Sequence, residues 1–229
     1  MIGALIRRLW PGQCVLCGGG GAEGDDLCRP CHRELPWLRR PCPRCGLPLP
    51  ERTAPDTPCG ACQQRPPPFS ACCAPFLYQP PVSHLIAAFK YRGRYSYGRA
   101  LAVELARRVD AGAVDALVPV PLHWRRRWAR GFNQAEIIAD QLGRALALPV
   151  RADWLRRRRP TPPQQGLDAR ARAVNLRGAF ELRGSPAGLR VALVDDVVTT
   201  GATATELSRL LLAAGAASVQ VWCLARTPR

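Results

Sequence analysis

Four C-x-x-C pairs stand in the first part of the chain, Cys14/Cys17, Cys28/Cys31, Cys42/Cys45 and Cys59/Cys62, and they constrain what this sequence can fold into more than any other feature. A C-x-x-C turn aims two thiolates at one ion, and a second pair closes a tetrahedral shell. Eight cysteines in this pattern predict two structural zinc sites. Sequential pairing puts Cys14, Cys17, Cys28 and Cys31 on one ion and Cys42, Cys45, Cys59 and Cys62 on the other; an interleaved cross-brace satisfies the same spacing. Glycine follows Cys17 and Cys45, as a tight metal knuckle requires. Disulfides are disfavoured because Met1 to Trp10 has neither the charged start nor the apolar run of a secretion signal. Redox dithiols would not need four pairs. His32 beside Cys31 could replace a ligand but reads as solvated, and Cys72, Cys73 and Cys223 read as structural thiols.

Ten of the 11 cysteines fall between Cys14 and Cys73, so cysteine divides the chain. The breaker cluster Arg65-Pro66-Pro67-Pro68 then forms a stiff extended linker. The spacing predicts a small cysteine-rich module over 1–68 and a second domain over 72–229, with the linker keeping them apart. A hydrophobic content of 47% is enough for a genuine core. After the linker, apolar strands alternate with helical periods. Strands are expected at Phe76–Tyr78, Ala116–Val120, Val191–Val194 and Val219–Leu224, with short ones near Trp154 and Phe180. Helices are expected over Val82–Tyr91, Arg99–Val109, Asn133–Leu148 and Ala202–Ala214. This alternation predicts an α/β fold, a parallel sheet flanked by helices on both faces. No apolar run reaches membrane-spanning length, so no membrane insertion is expected and the cytoplasm is the expected location.

The segment Val191 to Thr203 carries the chemistry. Its apolar run is a buried strand, and Asp195 and Asp196 stand at the strand's carboxyl end, where α/β sheets place ligands. Thr199, Thr200, Gly201, Ala202 and Thr203 then lead into a helix. The first amides of that helix have no internal partners and present the positive end of its dipole, which suits a phosphate monoester. The threonine hydroxyls add donors, and Gly201 lets the backbone come close. Asp195 and Asp196 lie a sugar's length away, suited to ribose hydroxyls or to the waters of bound Mg²⁺. An ordinary helix cap needs one Ser, Thr or Asp; this segment has two acids, three threonines and a glycine in order. No Walker-type G-x-x-x-x-G-K-[ST] occurs.

A net charge of +16, from 33 Lys and Arg against 17 Asp and Glu, points to acidic partners, and Lys90 is the only lysine. Arginine's planar fork grips phosphate oxygens in pairs and stacks on bases, so phosphorylated metabolites and nucleic acid are the natural candidates. Arg125, Arg126, Arg127 and Arg130 could neutralise phosphate oxygens beside Trp124 and Trp128. The Arg156 to Asn175 stretch could fold over a polyanion and exclude water. Each run would otherwise be a solvated face; the phosphate role is the preferred reading of the first run, and the two readings stand level for the second.

Val191 to Thr203 resembles the phosphoribosyl-pyrophosphate motif of type I phosphoribosyltransferases, and nearly the whole chain resembles the ComF competence-protein family. The resemblance takes in the cysteine ribbons, Phe89-Lys90-Tyr91-Arg92-Gly93, Val118 to Val120 through Arg130 to Gln134, and Thr161 to Gln164 with Leu167, Arg172 and Asn175. It implies a type I phosphoribosyltransferase fold behind a double zinc ribbon, binding 5-phosphoribosyl-1-pyrophosphate (PRPP) and Mg²⁺. Asp195 and Asp196 take the catalytic positions in that likeness, and Thr199 to Thr203 with Arg125 and Arg130 the ligand positions. It implies that the loop from Val120 to Arg130 holds pyrophosphate and that Arg156 to Asn175 closes over the site. In 6-oxopurine transferases an acid precedes the T-G of this motif; Thr199 stands there in this chain, which disfavours guanine or hypoxanthine as acceptor and leaves the acceptor unnamed. A link to DNA uptake is implied too, with single-stranded DNA and other uptake proteins as partners. The alternative within that likeness is a non-catalytic component that responds to PRPP or binds single strands.

Purified protein is expected to carry about two zinc ions per chain. Elemental analysis giving one or none, with the eight thiols free to alkylate, would exclude this.

Overall fold

A computed structural model describes residues 12–20, 26–158 and 178–228. Met1 to Trp10 and most of the expected closing loop, including Thr161 to Gln164, Leu167, Arg172 and Asn175, lie outside the described residues. Two short helices, α1 (Arg29–Arg33) and α2 (Gly60–Gln64), start directly after Cys28 and Cys59 and carry Cys31 and Cys62. Then come strands β1 (Ala71–Cys73) and β2 (Phe76–Leu77), helices α3 (Val82–Arg92) and α4 (Tyr95–Ala106), and strand β3 (Ala116–Pro119). Helices α5 (Trp124–Arg130) and α6 (Gln134–Leu146) precede the hairpin β4 (Leu155–Arg157) and β5 (Phe180–Leu182). The last elements are β6 (Arg190–Val198), α7 (Ala202–Ala213) and β7 (Ser218–Arg226).

The main sheet runs β1-β7-β6-β3, with β2 also on β7, and every pairing in it is parallel. Strand β6 lies between β3 and β7, so Val191 to Val194 are buried on both faces, which explains the unbroken apolar run in place of alternation. Successive side chains of a strand point to opposite faces, and the core divides accordingly. Ala192, Val194, Trp222 and Leu224 pack with Ile86, Phe89, Leu101, Leu105 and Ile138 on one face. Val191, Leu193, Val221 and Cys223 pack with Leu207, Leu211 and Phe180 on the other. The expected α/β sheet with helices on both sides is therefore present.

Two details differ from expectation. The stretch from Val120 to Arg130, read as a loop, contains α5. His123 accepts from the Arg125 amide at its start, and Gly131 ends it with φ of 79°, a left-handed turn that glycine adopts without a steric penalty. The proline linker also does not hold the cysteine-rich part away from the rest. Cys14, Leu27 and Leu35 lie in the same buried cluster as Phe76, Phe89 and Trp222. Arg99 of α4 grips Asp26 with two bonds of 2.8 and 2.7 Å. Among the described residues no helix is long and apolar enough to cross a membrane.

Because Cys14 shares a core with the sheet, Cys14→Ser is expected to lower the melting temperature of the whole chain in one cooperative transition. Two separate calorimetric transitions, the upper one unchanged from wild type, would contradict that.

Candidate functional site

Each cysteine group closes sequentially. The sulfurs of Cys14, Cys17, Cys28 and Cys31 lie within 4.8 Å of one another, and so do those of Cys42, Cys45, Cys59 and Cys62. Four sulfurs each about 2.3 Å from a central zinc sit about 3.8 Å apart. The Cys17–Cys28 and Cys45–Cys59 sulfur pairs are both at 3.7 Å, so the shells fit the ion. The Cys59 amide donates to Cys42 Sγ at 3.2 Å, a bond that favours thiolate. Burial opposes ionisation of Cys42, but the amides of Cys45, Cys59 and Arg44 outweigh it and bring the thiol down to about 7. Cys14 falls to about 6 by the same balance, through the amides of Cys17, Cys28 and Leu16. Thiolate is the form a metal binds. His32 stays out of the first shell: its ring faces Trp37, and Nε2 lies 3.4 Å from Glu104.

At the carboxyl end of β6, Asp195 and Asp196 lie just before the Thr199 to Thr203 turn, which enters α7 through Gly201 at φ 78°. A Cβ added at Gly201 would meet nothing within 4 Å, so its backbone borders open space. Thr199 and Thr200 are exposed, and Ala202 N donates weakly to Thr200 Oγ1 at 3.4 Å. Asp196 is buried and pairs with Lys90 Nζ at 2.8 Å. Asp195 accepts from the Asp196 amide at 2.8 Å. Burial first, and then the neighbouring Asp196 charge, push Asp195 up to about 8.

The arginines divide. Arg130 is engaged elsewhere, donating to Gln134 at 3.0 Å and lying over the Tyr91 ring, while Arg125 lies over the exposed Trp124. Arg127 pairs with Glu136. The cations whose fields act on Asp195 are Lys90 and Arg157. Arg157 of β4 is close enough to feel the fields of Asp195 and Arg126, and its own field acts on His123. His123 is buried; Nδ1 accepts from the Arg125 amide at 3.3 Å, which puts the proton on Nε2, and that nitrogen has no partner among the described residues. Burial, and then Arg157, Arg125 and Arg126, hold its pKa below the usual histidine range. Lys90 was legible as the sole lysine in an arginine-rich chain and Arg157 as part of the basic stretch from Arg156, whereas His123 carried no local signal. Arg156 is exposed, and the rest of the basic run beyond Arg158 lies outside the described residues.

Residues 5–74 match the double zinc ribbon domain and residues 128–229 the phosphoribosyl transferase domain. The chain is 41% identical over 225 residues to "DNA utilization protein YhgH" of Salmonella typhimurium, covering 95% of this chain and 98% of that one. It is 36% identical to "Competence protein F" of Haemophilus influenzae, covering 93% and 96%. "Competence protein ComFC" of Bacillus subtilis is 29% identical over 66% of this chain and 62% of its own.

The raised Asp195 has a consequence for stability. A carboxyl whose folded pKa exceeds its unfolded value of about 3.9 binds a proton more tightly when folded, so stability is highest at low pH and falls as pH climbs from about 4 to about 8. The slope from this group is at most about 1.4 kcal/mol per pH unit. Asp195→Asn should flatten that part of the profile and melt higher than wild type at pH 8. Urea titrations of both proteins from pH 5 to 8 check this; equal slopes would show that Asp195 titrates normally.

Proposed function

The chain belongs to the family of Competence protein F and DNA utilization protein YhgH, a double zinc ribbon joined to a phosphoribosyltransferase fold, and from that premise we propose that it binds PRPP with Mg²⁺ and transfers the phosphoribosyl group. The observation that carries this reading is the order of groups along the end of β6: two acids, then a threonine–glycine turn opening on the first amides of α7. In this reading the turn takes the 5′-phosphate, and the Thr199, Thr200 and Thr203 hydroxyls complete its shell. Asp195 and Asp196 face the ribose hydroxyls. The Mg²⁺ that accompanies PRPP supplies charge neutralisation on the departing pyrophosphate.

Lys90 Nζ, 2.8 Å from Asp196, fixes that buried side chain beside the ligand. In this reading Arg157, whose charge acts on Asp195, would supply donors to the departing oxygens together with Arg126 and His123, which its charge also reaches. Positioning and preorganised donors carry most of such a reaction, because bond breaking at the anomeric carbon needs no covalent help from the protein. The acceptor is a nucleophile other than a 6-oxopurine, since Thr199 offers no carboxylate to assist the base.

A second reading, a surface for single-stranded DNA, draws on a different observation. Trp128 is 88% exposed, Tyr91 71% and Trp124 59%, and Arg130 and Arg125 lie over the Tyr91 and Trp124 rings. Exposed aromatic faces with guanidinium planes suit unpaired bases, whatever their sequence. Trp154 is half-buried, with Arg151 over its ring.

PRPP with Mg²⁺ should raise the melting temperature, as any ligand of the folded state does, and the double variant Asp195→Asn/Asp196→Asn should abolish most of the shift. An unchanged shift in that variant would remove the motif from the site. A screen of acceptors for pyrophosphate release then tests catalysis.

For the second reading, fluorescence anisotropy with a labelled oligonucleotide should show weak binding that falls steeply with salt and is lost in Trp128→Ala. Competition by PRPP would place both ligands on shared arginines. No binding at low salt would end this reading.

A further inference from the structure

Arg226, the last residue of β7, is 2% exposed, yet among the described residues it has no carboxylate beside it. Its partners are backbone carbonyls. Nε donates to Cys45 O at 3.0 Å, across 181 residues of chain. Nη1 donates to Val198 O at 3.0 Å, to Thr227 O at 2.9 Å, and to Thr199 O. One guanidinium thus joins the second cysteine knuckle, the end of β7 and the turn that follows β6. Burying a cation carries a large desolvation cost, and an apolar side chain of similar volume would usually stabilise such a position at least as well. What the arginine adds is geometry, because its planar fork fixes several acceptors at once.

That geometry bears on the turn. In a trans peptide the carbonyl and the next N–H point in opposite directions. Holding the Val198 and Thr199 carbonyls on Arg226 therefore aims the Thr199 and Thr200 amides the other way. Among the described residues no backbone acceptor takes the amides of Thr199, Thr200 or Gly201. The knuckle and the turn also form two walls of one cleft of about 240 Å³, lined by Cys45, Cys62 and Arg65 on one side and Thr200 and Gly201 on the other, with Arg226 bridging them. The first cysteine group has a different attachment. It is tied to α4 through Asp26 and Arg99, and Cys14 packs on the opposite face of the sheet.

We propose that Arg226 is a positioning residue that transmits the state of the Cys42/Cys45/Cys59/Cys62 site to the Thr199 to Thr203 turn, so that zinc at this site, and not at the first, sets the turn's amides and its affinity for phosphate. The affinity part rests on the reading of the turn as a PRPP site; the ordering of the turn does not. The ion does not touch the ligand. It fixes the Cys45 carbonyl, which fixes the guanidinium, which fixes two peptide planes.

Two readouts on the full chain separate these parts: hydrogen exchange without ligand of the Thr205 and Thr227 amides, which donate to the Gly201 and Val198 carbonyls at 2.8 and 3.0 Å and so report the turn's order, and calorimetric affinity for PRPP with Mg²⁺. Cys59→Ser and Arg226→Gln should each speed exchange of the turn and weaken PRPP binding, by about tenfold or more if two charge-assisted bonds are lost. The double variant should be no worse than either single, because both cut one line of contact. Arg226→Lys should recover part of the protection. Cys17→Ser, in the first site, should leave the turn's exchange within about twofold of wild type, the scatter expected for uncoupled positions. Equal effects of Cys17→Ser and Cys59→Ser, or an additive double variant, would overturn the proposal. Should the Arg226 variants not fold, the comparison of the two cysteine variants still decides. Wild type that does not bind PRPP would refute the ligand assignment alone, since the exchange data stand without it.

Discussion

A carboxylate at the buried end of a central strand needs a cation beside it, and the Lys90–Asp196 pair is the contact on which the site depends. Lys90 comes from the last turn of α3, so the pair fixes where that helix ends relative to β6. Asp195 is desolvated by burial and also stands beside Asp196, which is why its proton is retained far above the usual carboxylate range. Two adjacent acids thereby become chemically unequal, one ion-paired and one ready to titrate. Under the proposed PRPP reading, that difference would suit a site meeting both hydroxyls and a hydrated cation.

The cysteine-rich part serves the same end from both faces of the sheet. One group joins the core under α3 and α4, and the other reaches the turn after β6 through the Cys45 carbonyl. Zinc ribbons are often small-domain staples whose effect stops at their own fold. In this chain the ribbons contribute side chains to cores that they could not enclose alone. The proline run therefore acts less as a spacer than as a wall, since Arg65, Pro66, Pro67 and Pro68 line the cleft beside Thr200.

What the sequence made legible was what is contiguous or locally periodic. The cysteine pairs, the acid–threonine–glycine segment and the alternation of strands and helices each declare themselves within about twenty residues, the range over which spacing and period carry information. Helix α5 escaped because histidine is a poor cap signal and a run of arginines reads as solvated; its Gly131 stop was the one local clue. The meeting of the groups around the carboxylates was hidden for another reason. Lys90, Arg157 and Arg226 reach the site through tertiary approach, and one sequence contains no record of which distant residues meet. Arg125 and Arg130 show the converse. They had the right chemistry in the right neighbourhood, but an i,i+4 partner and an aromatic ring had first claim on them.

The position of β7 has a consequence for how the chain is made. This strand pairs with β1, β2 and β6, yet it is built from residues 218–226. A nascent chain leaving the ribosome can form β3 and β6 side by side, and β2 can meet Trp37, but β1 waits for its neighbour until residues 218–226 have emerged. Contacts of such sequence separation close slowly and leave strand edges exposed meanwhile. The cysteine groups close over short stretches and can take up metal long before that, so the ribbons would be ordered while the sheet still lacks its middle, giving the growing polypeptide an early folded end on which the late strand can dock.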